Sequence, residues 1–378
     1  MLWRTRQKIN EKPSHRQVAG KIQKRRFDMK KFFVIVLMVM TVFALFANGG
    51  NEAASADKKG IAGTKENPRI LRAGTSAPAS SDPTNGLNVM HAALNEKLME
   101  LSGGTIGYEC IFGGALGNNT QLLAQLKQGT LDLMPTGFDL ATNLPKSEKF
   151  YAVAMPYVFD NDAHMDAFLK SDLWKQMVEE IRVAAGIYIS GLGCHQTARS
   201  FNTVKPVVHP SDLKNLRMRV PESTVQMKLW QATGAAPMVI PASELYTSLS
   251  SGLVDGQEND IVASAAALKL YEVAPYFTET DYIKQAMLMY MSDKTWQAMT
   301  EEEQGWWNEA LAYACEKGSA AYASKYEAAK QEIREHGGTI VEFDFDEWKA
   351  YFSQLVHEQF DGQFFPAGLY DQIQATPY

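Results

Sequence analysis

The residues best suited to chemistry lie between Arg199 and Asn259, above all in the run Leu216-Arg217-Met218-Arg219-Val220-Pro221-Glu222-Ser223. Apolar Leu216, Met218 and Val220 alternate with two arginines, which predicts a strand that Pro221 ends just ahead of a helix. The two guanidinium groups are expected to face opposite ways, so that one meets a pocket and the other does not. An arginine at a strand end beside a helix N-terminus can fork onto a carboxylate while nearby amides add their own attraction. A surface arginine with a salt-bridge partner is the plainer alternative. Downstream, Ser243-Glu244-Leu245-Tyr246 opens a short helix, and Gly252-Leu253-Val254-Asp255-Gly256-Gln257-Glu258-Asn259 gathers small and polar residues into a turn and a strand end. Its two glycines suit a close approach of backbone to another group.

Other chemistry finds little support. There is no GxSxG elbow, Walker loop, HExxH or CxxC, and Gly191-Leu192-Gly193 lacks the third glycine of a dinucleotide fingerprint. The seven histidines do not pair at ligand spacings, so no metal site, cofactor or catalytic residue is assigned. His195, just ahead of Arg199, reads as a satisfied core or hinge histidine. Cys110, Cys194 and Cys315 are odd in number and widely spaced, which suits buried small apolar residues better than a disulfide framework.

The elements that must position these residues alternate in type. Strand patterns at Pro68–Gly74, Ile106–Phe112, Leu131–Met134, Ile187–Leu192 and Pro237–Ile240 are interleaved with helical patterns at Leu87–Leu101, Thr120–Gln128, Ala163–Arg182 and Ser223–Thr233. Such alternation predicts parallel or mixed sheets covered by helices. Thr300 and Glu303 form a capping box that opens one helix running to about His336, where Gly337-Gly338 stops it. At ~1.5 Å per residue it is on the order of 50 Å long, enough to brace two lobes. Gly318 is placed to permit a bend, while Trp306, Trp307 and Cys315 are packing residues. An edge strand, Thr339–Phe345, and a last helix from Asp346 follow.

A chain of 378 residues, 46% of them hydrophobic, can bury a full core. At the N-terminus the apolar run Phe32–Ala47 follows the basic cluster Lys24, Arg25, Arg26, Lys30, Lys31 and precedes Ala54-Ser55-Ala56. That is the layout of a secretory signal cleaved after Ala56, and a stretch of sixteen residues, about 24 Å as helix, is short for a ~30 Å hydrocarbon core. Met29 is an alternative start. Arg25-Arg26 raises the twin-arginine route, although the apolar core fits general secretion better. No cysteine precedes Cys110, which argues against a lipid anchor. Without residues 1–56 the chain keeps 26 Lys and Arg against 40 Asp and Glu, about −14, which repels nucleic acid and anionic membrane. Attraction for an anion must then come from a few local arginines.

The chain resembles the substrate-binding subunit of tripartite ATP-independent periplasmic (TRAP) transporters from about Pro68 to Gln374. The motifs carrying the match are Gly113-Gly114-Ala115-Leu116-Gly117, Lys205-Pro206 with Ser211-Asp212-Leu213-Lys214, the Leu216–Pro221 run, Ser243–Tyr246 and Val254–Asn259, in order and at the family's spacings. The resemblance implies an α/β fold of two lobes with mixed sheets, crossed hinge strands and a long lobe-bridging helix. It implies 1–56 as leader and signal, 57–67 as flexible, 68–193 plus about 285–324 as lobe 1, and 194–284 plus about 325–378 as lobe 2. It further implies a periplasmic monomer that is not an enzyme, closing on an organic acid and handing it to separate membrane subunits. On this resemblance Arg219 grips the ligand carboxylate, Arg199 is a second anion contact, and Asn259, Glu222, Ser76 and Thr136 are further ligand-facing positions. Two departures stand out: Asp260 where the family usually has proline, and Ala242 where some members carry an aromatic, which suggests a roomier pocket. Glu222 beside Arg219 would disfavour a second ligand carboxylate and accept from hydroxyls, which points to a uronate or aldonate. Pairing of Glu222 with Arg217, or capping of the next helix, remains an open alternative. A sensing protein for a signalling partner and a periplasmic enzyme are the competing functions.

Overall fold

A computed structural model of the chain describes residues 59–378. The expected leader and signal, 1–56, lie outside the described residues. Eleven strands are present among them: β1 (Arg69–Gly74), β2 (Ile106–Ile111), β3 (Leu133–Thr136), β4 (Ile187–His195), β5 (Arg199–Thr203), β6 (Arg217–Val220), β7 (Ala236–Val239), β8 (Gly256–Asn259), β9 (Tyr276–Ile283), β10 (Ala286–Ser292) and β11 (Thr339–Val341). They form two mixed sheets, one of order β2-β1-β3-β10-β4 and one of order β11-β9-β5-β8-β6-β7.

Parallel pairing of β1 with β2 and β3 needs crossover helices, and the sequence supplies Gly86–Leu101 and Asn119–Gln128 between them. Each starts where an asparagine side chain, Asn85 or Asn118, accepts from the first turn. Asn118 and Gln121 complete a capping box, and Gly129 ends that helix in the left-handed region. The helix expected over 163–182 is two helices, Asp162–Lys170 and Asp172–Ala185. Ser171 between them has extended backbone, and its hydroxyl caps the second by accepting from Trp174 N.

Two short segments join the sheets. Residues 196–198 lead from β4 to β5 and residues 284–285 lead from β9 to β10. The two crossings run side by side: His195 pairs with Ala286 in the first sheet, Gln196 N donates to Gln285 O between them, and Arg199 pairs with Ile283 in the second. The long helix, Glu301–Glu335, spans about 52 Å and starts at the expected Thr300–Glu303 capping box. Gly318 serves packing: a Cβ there would lie 2.6 Å from the Cys194 sulfur and 2.8 Å from Met90 Cβ, so only glycine lets the helix approach both.

One core buries Trp307, Leu311 and Cys315 of this helix against Leu71, Met90 and Leu94. A second runs from Phe138, Phe150 and Trp174 through Tyr282 to Phe201, Trp230, Trp348 and Phe352, tying the first sheet's helices to the second sheet and the C-terminal helix Phe345–Gln359. Each such fully buried side chain contributes about 1.5–3 kcal/mol, and the Trp348 indole N–H also donates to Val208 O at 2.8 Å. The stretch 57–67, expected to be flexible, is held over part of its described length. The Glu303 carboxylate accepts from Ile61 N and Ala62 N, and Gly63 N donates to Thr105 O.

Candidate functional site

A cleft of about 300 Å³, at the small end for small-molecule pockets, takes its lining from both sheets and from the segments that join them. Sheet order β5-β8-β6 sets Arg199, Asn259 and Arg219 on three neighbouring strands, with Ser200 opposite Asn259 and Arg219 opposite Gln257. The polar side chains Arg199, Arg219, Gln257 and Glu258 on these strands are all buried.

Arg199 is already paired. Its Nε and Nη2 donate to the two carboxylate oxygens of Glu258 at 2.6 Å each, Nη2 also reaches Glu258 O at 3.2 Å, and Nη1 donates to Gln285 Oε1 at 3.0 Å. Four of its five N–H groups are thus committed within the protein. Burial opposes the charge on Arg199, yet Glu258, by its charge and its hydrogen bonds, raises the pKa above the ordinary value. Glu258 is 0% exposed and also accepts from Tyr282 Oη at 2.7 Å. Gln285 Nε2 donates to Thr197 O at 3.2 Å and Asp260 Oδ2 at 3.4 Å, and Asp260 accepts from the Thr197 hydroxyl at 2.9 Å, which ties the two crossings together.

Arg219 is the other cation of the lining, and it is held differently. It is 2% exposed, its Nε donates to Ile240 O at 2.8 Å, and no carboxylate forms an ion pair with it among the described residues. Burial brings its pKa down to about 10, with repulsion from Arg199 adding to the effect and Glu258, Glu222 and Asp139 opposing it. The guanidinium still carries its charge at neutral pH, with both terminal nitrogens uncommitted among the described residues. Arg217, by contrast, is exposed and forks onto Asp255 at 2.9 and 2.5 Å. The expectation of opposite faces is corrected here: residues two apart on a strand share a face. The two arginines differ by position along β6, Arg217 at its exposed start and Arg219 where the strand runs under the cleft.

The facing wall carries little charge. Residues 75–81, mostly Ser, Thr, Ala and Pro, line it together with Asn119, Thr136 and Gly137, and Ser76 Oγ donates to Asn119 Oδ1 at 2.7 Å. Its one acid is Asp139, in the 3-10 turn Phe138–Asn143. Burial raises the Asp139 carboxyl above the usual range, Glu258 adds to the rise, and Arg199 and Ser223 pull against it.

Of the six positions expected from sequence, Arg219, Arg199, Asn259, Ser76 and Thr136 line this cleft. Asn259 Oδ1 accepts from Asp260 N, leaving its NH2 uncommitted among the described residues. Glu222 is not brought to the lining. Its Oε2 accepts from Asn119 N at 3.0 Å, and its carbonyl accepts from Asn143 Nδ2 at 2.6 Å. Sequence reasoning missed Glu258 as the partner of Arg199, and it missed Asp139 and Gln285. Glu258 was detectable as the acid beside Asn259; Asp139 and Gln285 carried no sequence signal, because loop and hinge paths bring them in. Ala242 lines the cleft. Among the described residues no group of three or more His, Cys, Asp or Glu is disposed to hold a metal ion.

Residues 74–363 match the model of bacterial extracellular solute-binding protein, family 7. A solute-binding protein of Roseobacter denitrificans is 27% identical over 275 residues, which cover 72% of this chain and 83% of the relative. The sialic acid-binding periplasmic protein of Vibrio cholerae is 27% identical over 216 residues, 56% of this chain and 64% of the relative. Among solved structures, a TRAP periplasmic solute-binding protein of Bradyrhizobium in complex with D-galacturonate superposes with TM-score 0.72 at 25% identity, covering 82% of this chain and 100% of the other. One from Roseobacter denitrificans with bound L-galactonate gives TM-score 0.73 at 24% identity, covering 81% and 99%.

Proposed function

Because the chain belongs to bacterial extracellular solute-binding protein family 7, we propose that it captures a hydroxylated monocarboxylate, a uronate or an aldonate, and delivers it to the membrane subunits of a TRAP transporter. The observation that carries this reading is the charge pattern of the cleft. Its lining has two arginines, one neutralised by Glu258 and one, Arg219, free of an ion pair, while Asp139 and Asp260 bring acid groups to the same space. One carboxylate finds a partner in Arg219. A second would meet repulsion of about 3 kcal/mol per charge at roughly 5 Å and an effective dielectric of 20. Hydroxyl groups instead find acceptors in Asp139 and the serines and a donor in the Asn259 amide. The sugar acids bound by the Bradyrhizobium and Roseobacter proteins are of this class. In this reading the protein is periplasmic and monomeric, releases its ligand unchanged, and uses Arg219, Asn259, Ser76 and Thr136 as contacts, with Arg199 offering its one remaining N–H.

A thermal-shift screen against an organic-acid library tests this directly. A ligand at a hundred times its Kd stabilises the fold by ~2.7 kcal/mol, so uronates and aldonates should raise Tm clearly and C4-dicarboxylates should not. A larger shift with succinate or malate than with every sugar acid would sink the ligand class while leaving solute binding intact. Turnover of the bound acid on prolonged incubation would sink the non-enzymatic reading.

A further inference from the structure

Three residues beyond Arg219 the chain leaves the cleft and meets the other sheet's elements. Glu222, Ser223, Thr224 and Val225, which follow β6 of the six-stranded sheet, contact the helix Asn119–Gln128 and the 3-10 turn Phe138–Asn143, which flank β3 of the five-stranded sheet. Glu222 Oε2 accepts from Asn119 N at 3.0 Å, and Glu222 O accepts from Asn143 Nδ2 at 2.6 Å. Asn143 Oδ1 accepts from Thr224 N at 3.0 Å and from Thr224 Oγ1 at 2.7 Å. Ser223 Oγ donates to Asp139 O at 3.3 Å, and Val225 N donates to Thr142 Oγ1 at 3.4 Å. Each link joins one sheet's elements to the other's, far from the two hinge crossings in sequence.

We infer that Glu222 is a positioning residue for ligand capture: with Asn143 it clasps the two sheets together at the lip of the cleft and holds the closed form, without touching the ligand. Two features single out Glu222 within the group. Its carboxylate is the one charged partner, and it accepts from the first N–H of a ten-residue helix, where backbone donors lack intrahelical partners and the helix dipole favours an anion. The same asparagine whose backbone it holds, Asn119, presents its side chain to the cleft and to Ser76. Closure and the facing wall of the cleft are therefore joined at one residue, and loosening the clasp frees both. The clasp acts on how long the cleft stays shut, and leaves the choice of ligand to the lining.

The first arm of the test needs no ligand. Small-angle scattering and amide hydrogen exchange on the full exported chain should show a larger radius of gyration and faster exchange at Asn119, Thr224 and Val225 in Glu222→Ala and in Asn143→Ala. Glu222→Gln, which keeps an acceptor oxygen, should restore most of the protection. An unchanged radius and unchanged exchange in both alanine variants overturn the clasp. The second arm rests on the solute-binding reading and uses D-galacturonate as probe in stopped-flow fluorescence. Dissociation should quicken about tenfold in Glu222→Ala with little change in association, and the ranking of organic acids in the thermal-shift screen should stay as in the parent. A changed ranking would put Glu222 on the ligand and overturn the proposal, even if the first arm had succeeded. If Glu222→Ala does not fold, Asn143→Ala and Glu222→Gln decide the first arm alone.

Discussion

The two walls of the cleft are built on opposite principles. On the six-stranded side, charged groups stand on central strands, nearly all buried, and are fixed by one another: Arg199 on Glu258, Glu258 on Tyr282, Gln285 between Arg199 and Asp260. On the five-stranded side, short hydroxyl and alanine side chains of residues 75–81 line a loop, with a single acid at Asp139. Strand backbone is held on both flanks by the sheet, so a charge placed there keeps its position and its desolvation cost is met by fixed partners. Loop hydroxyls are small and rotate freely, so they can suit several arrangements of ligand hydroxyls. In the proposed reading the difference separates two tasks: the strand wall supplies one prebuilt anchor, Arg219, and the loop wall adapts to what the anchor brings.

If the strand wall is prebuilt, its internal ion pair belongs to the fold before any ligand arrives. Glu258→Ala leaves Arg199 buried and unpaired, so it should cost about 3–5 kcal/mol of stability, read as a lower midpoint in urea denaturation. A variant as stable as the parent would mean that Arg199 is free to turn to a ligand and that the wall is not prebuilt. Next in size is the anchor. Arg219→Ala should leave folding intact and cost roughly 2–5 kcal/mol of binding energy, on the order of thirtyfold to several-thousandfold in Kd. Arg219→Lys keeps the charge but loses the planar fork, so it should recover only part. Arg217→Ala, whose guanidinium is spent on half-buried Asp255, is the control. Calorimetry showing equal losses at Arg217 and Arg219 would mean that the anchor has been misidentified.

How far these walls were legible in the sequence follows from how each is held. Arg219, Arg199 and Asn259 stand in local runs whose alternation, proline and glycines mark strand ends, and all three reach the cleft. Ser76 and Thr136, just past the first strand and past the Leu131–Met134 strand, came from the family resemblance, which implies first-lobe contacts there, and both line the cleft. Glu222 shows the limit: the resemblance implied a ligand-facing position for the residue after Val-Pro, and no local pattern announces that the turn of chain after Pro221 sets its carboxylate on a helix N-terminus about a hundred residues away in sequence. Asp139 and Gln285 were illegible for the same reason, since only the crossing of two sheets brings them near Arg199. The split at Ser171 was missed because apolar spacing continues through it, and only its capping hydroxyl betrays the break.

The adaptable wall should yield smaller effects. Ser76→Ala removes one hydroxyl that donates to Asn119, and a single neutral hydrogen bond contributes about 0.5–1.5 kcal/mol. The expected loss in affinity is therefore at most about tenfold, and it should differ from one sugar acid to the next as their hydroxyls differ. A loss as large as that of Arg219→Ala, equal for every acid, would contradict the division of tasks.

The smallest effect concerns the joint between the walls. His195 closes β4 beside the first crossing; its Nε2 lies 3.0 Å from Asp166 Oδ1, its Nδ1 lies 3.8 Å from Asp162 Oδ1, and its backbone N donates to Ser319 Oγ of the long helix. Burial disfavours the imidazolium, but the hydrogen bond to Asp166 and the charges of Asp162 and Asp166 outweigh it and raise the pKa above 6.5. A raised value in the folded state means that protonated His195 stabilises the fold. That contribution is complete below the unfolded pKa of about 6.5 and fades as pH rises through the folded value. The parent should therefore melt above His195→Gln by about 1–2 °C at pH 5.5, and the gap should narrow as pH rises above 6.5. Because the pKa values of the exposed histidines His209 and His357 are also raised, by Glu347 and by the Ser353 carbonyl with Asp371, the quantity to follow is the difference between the two proteins across pH, which cancels their share. A gap that stays constant from pH 5.5 to 8.5 would assign His195 to packing alone, and a gap that widens with pH would reverse the sign of the argument.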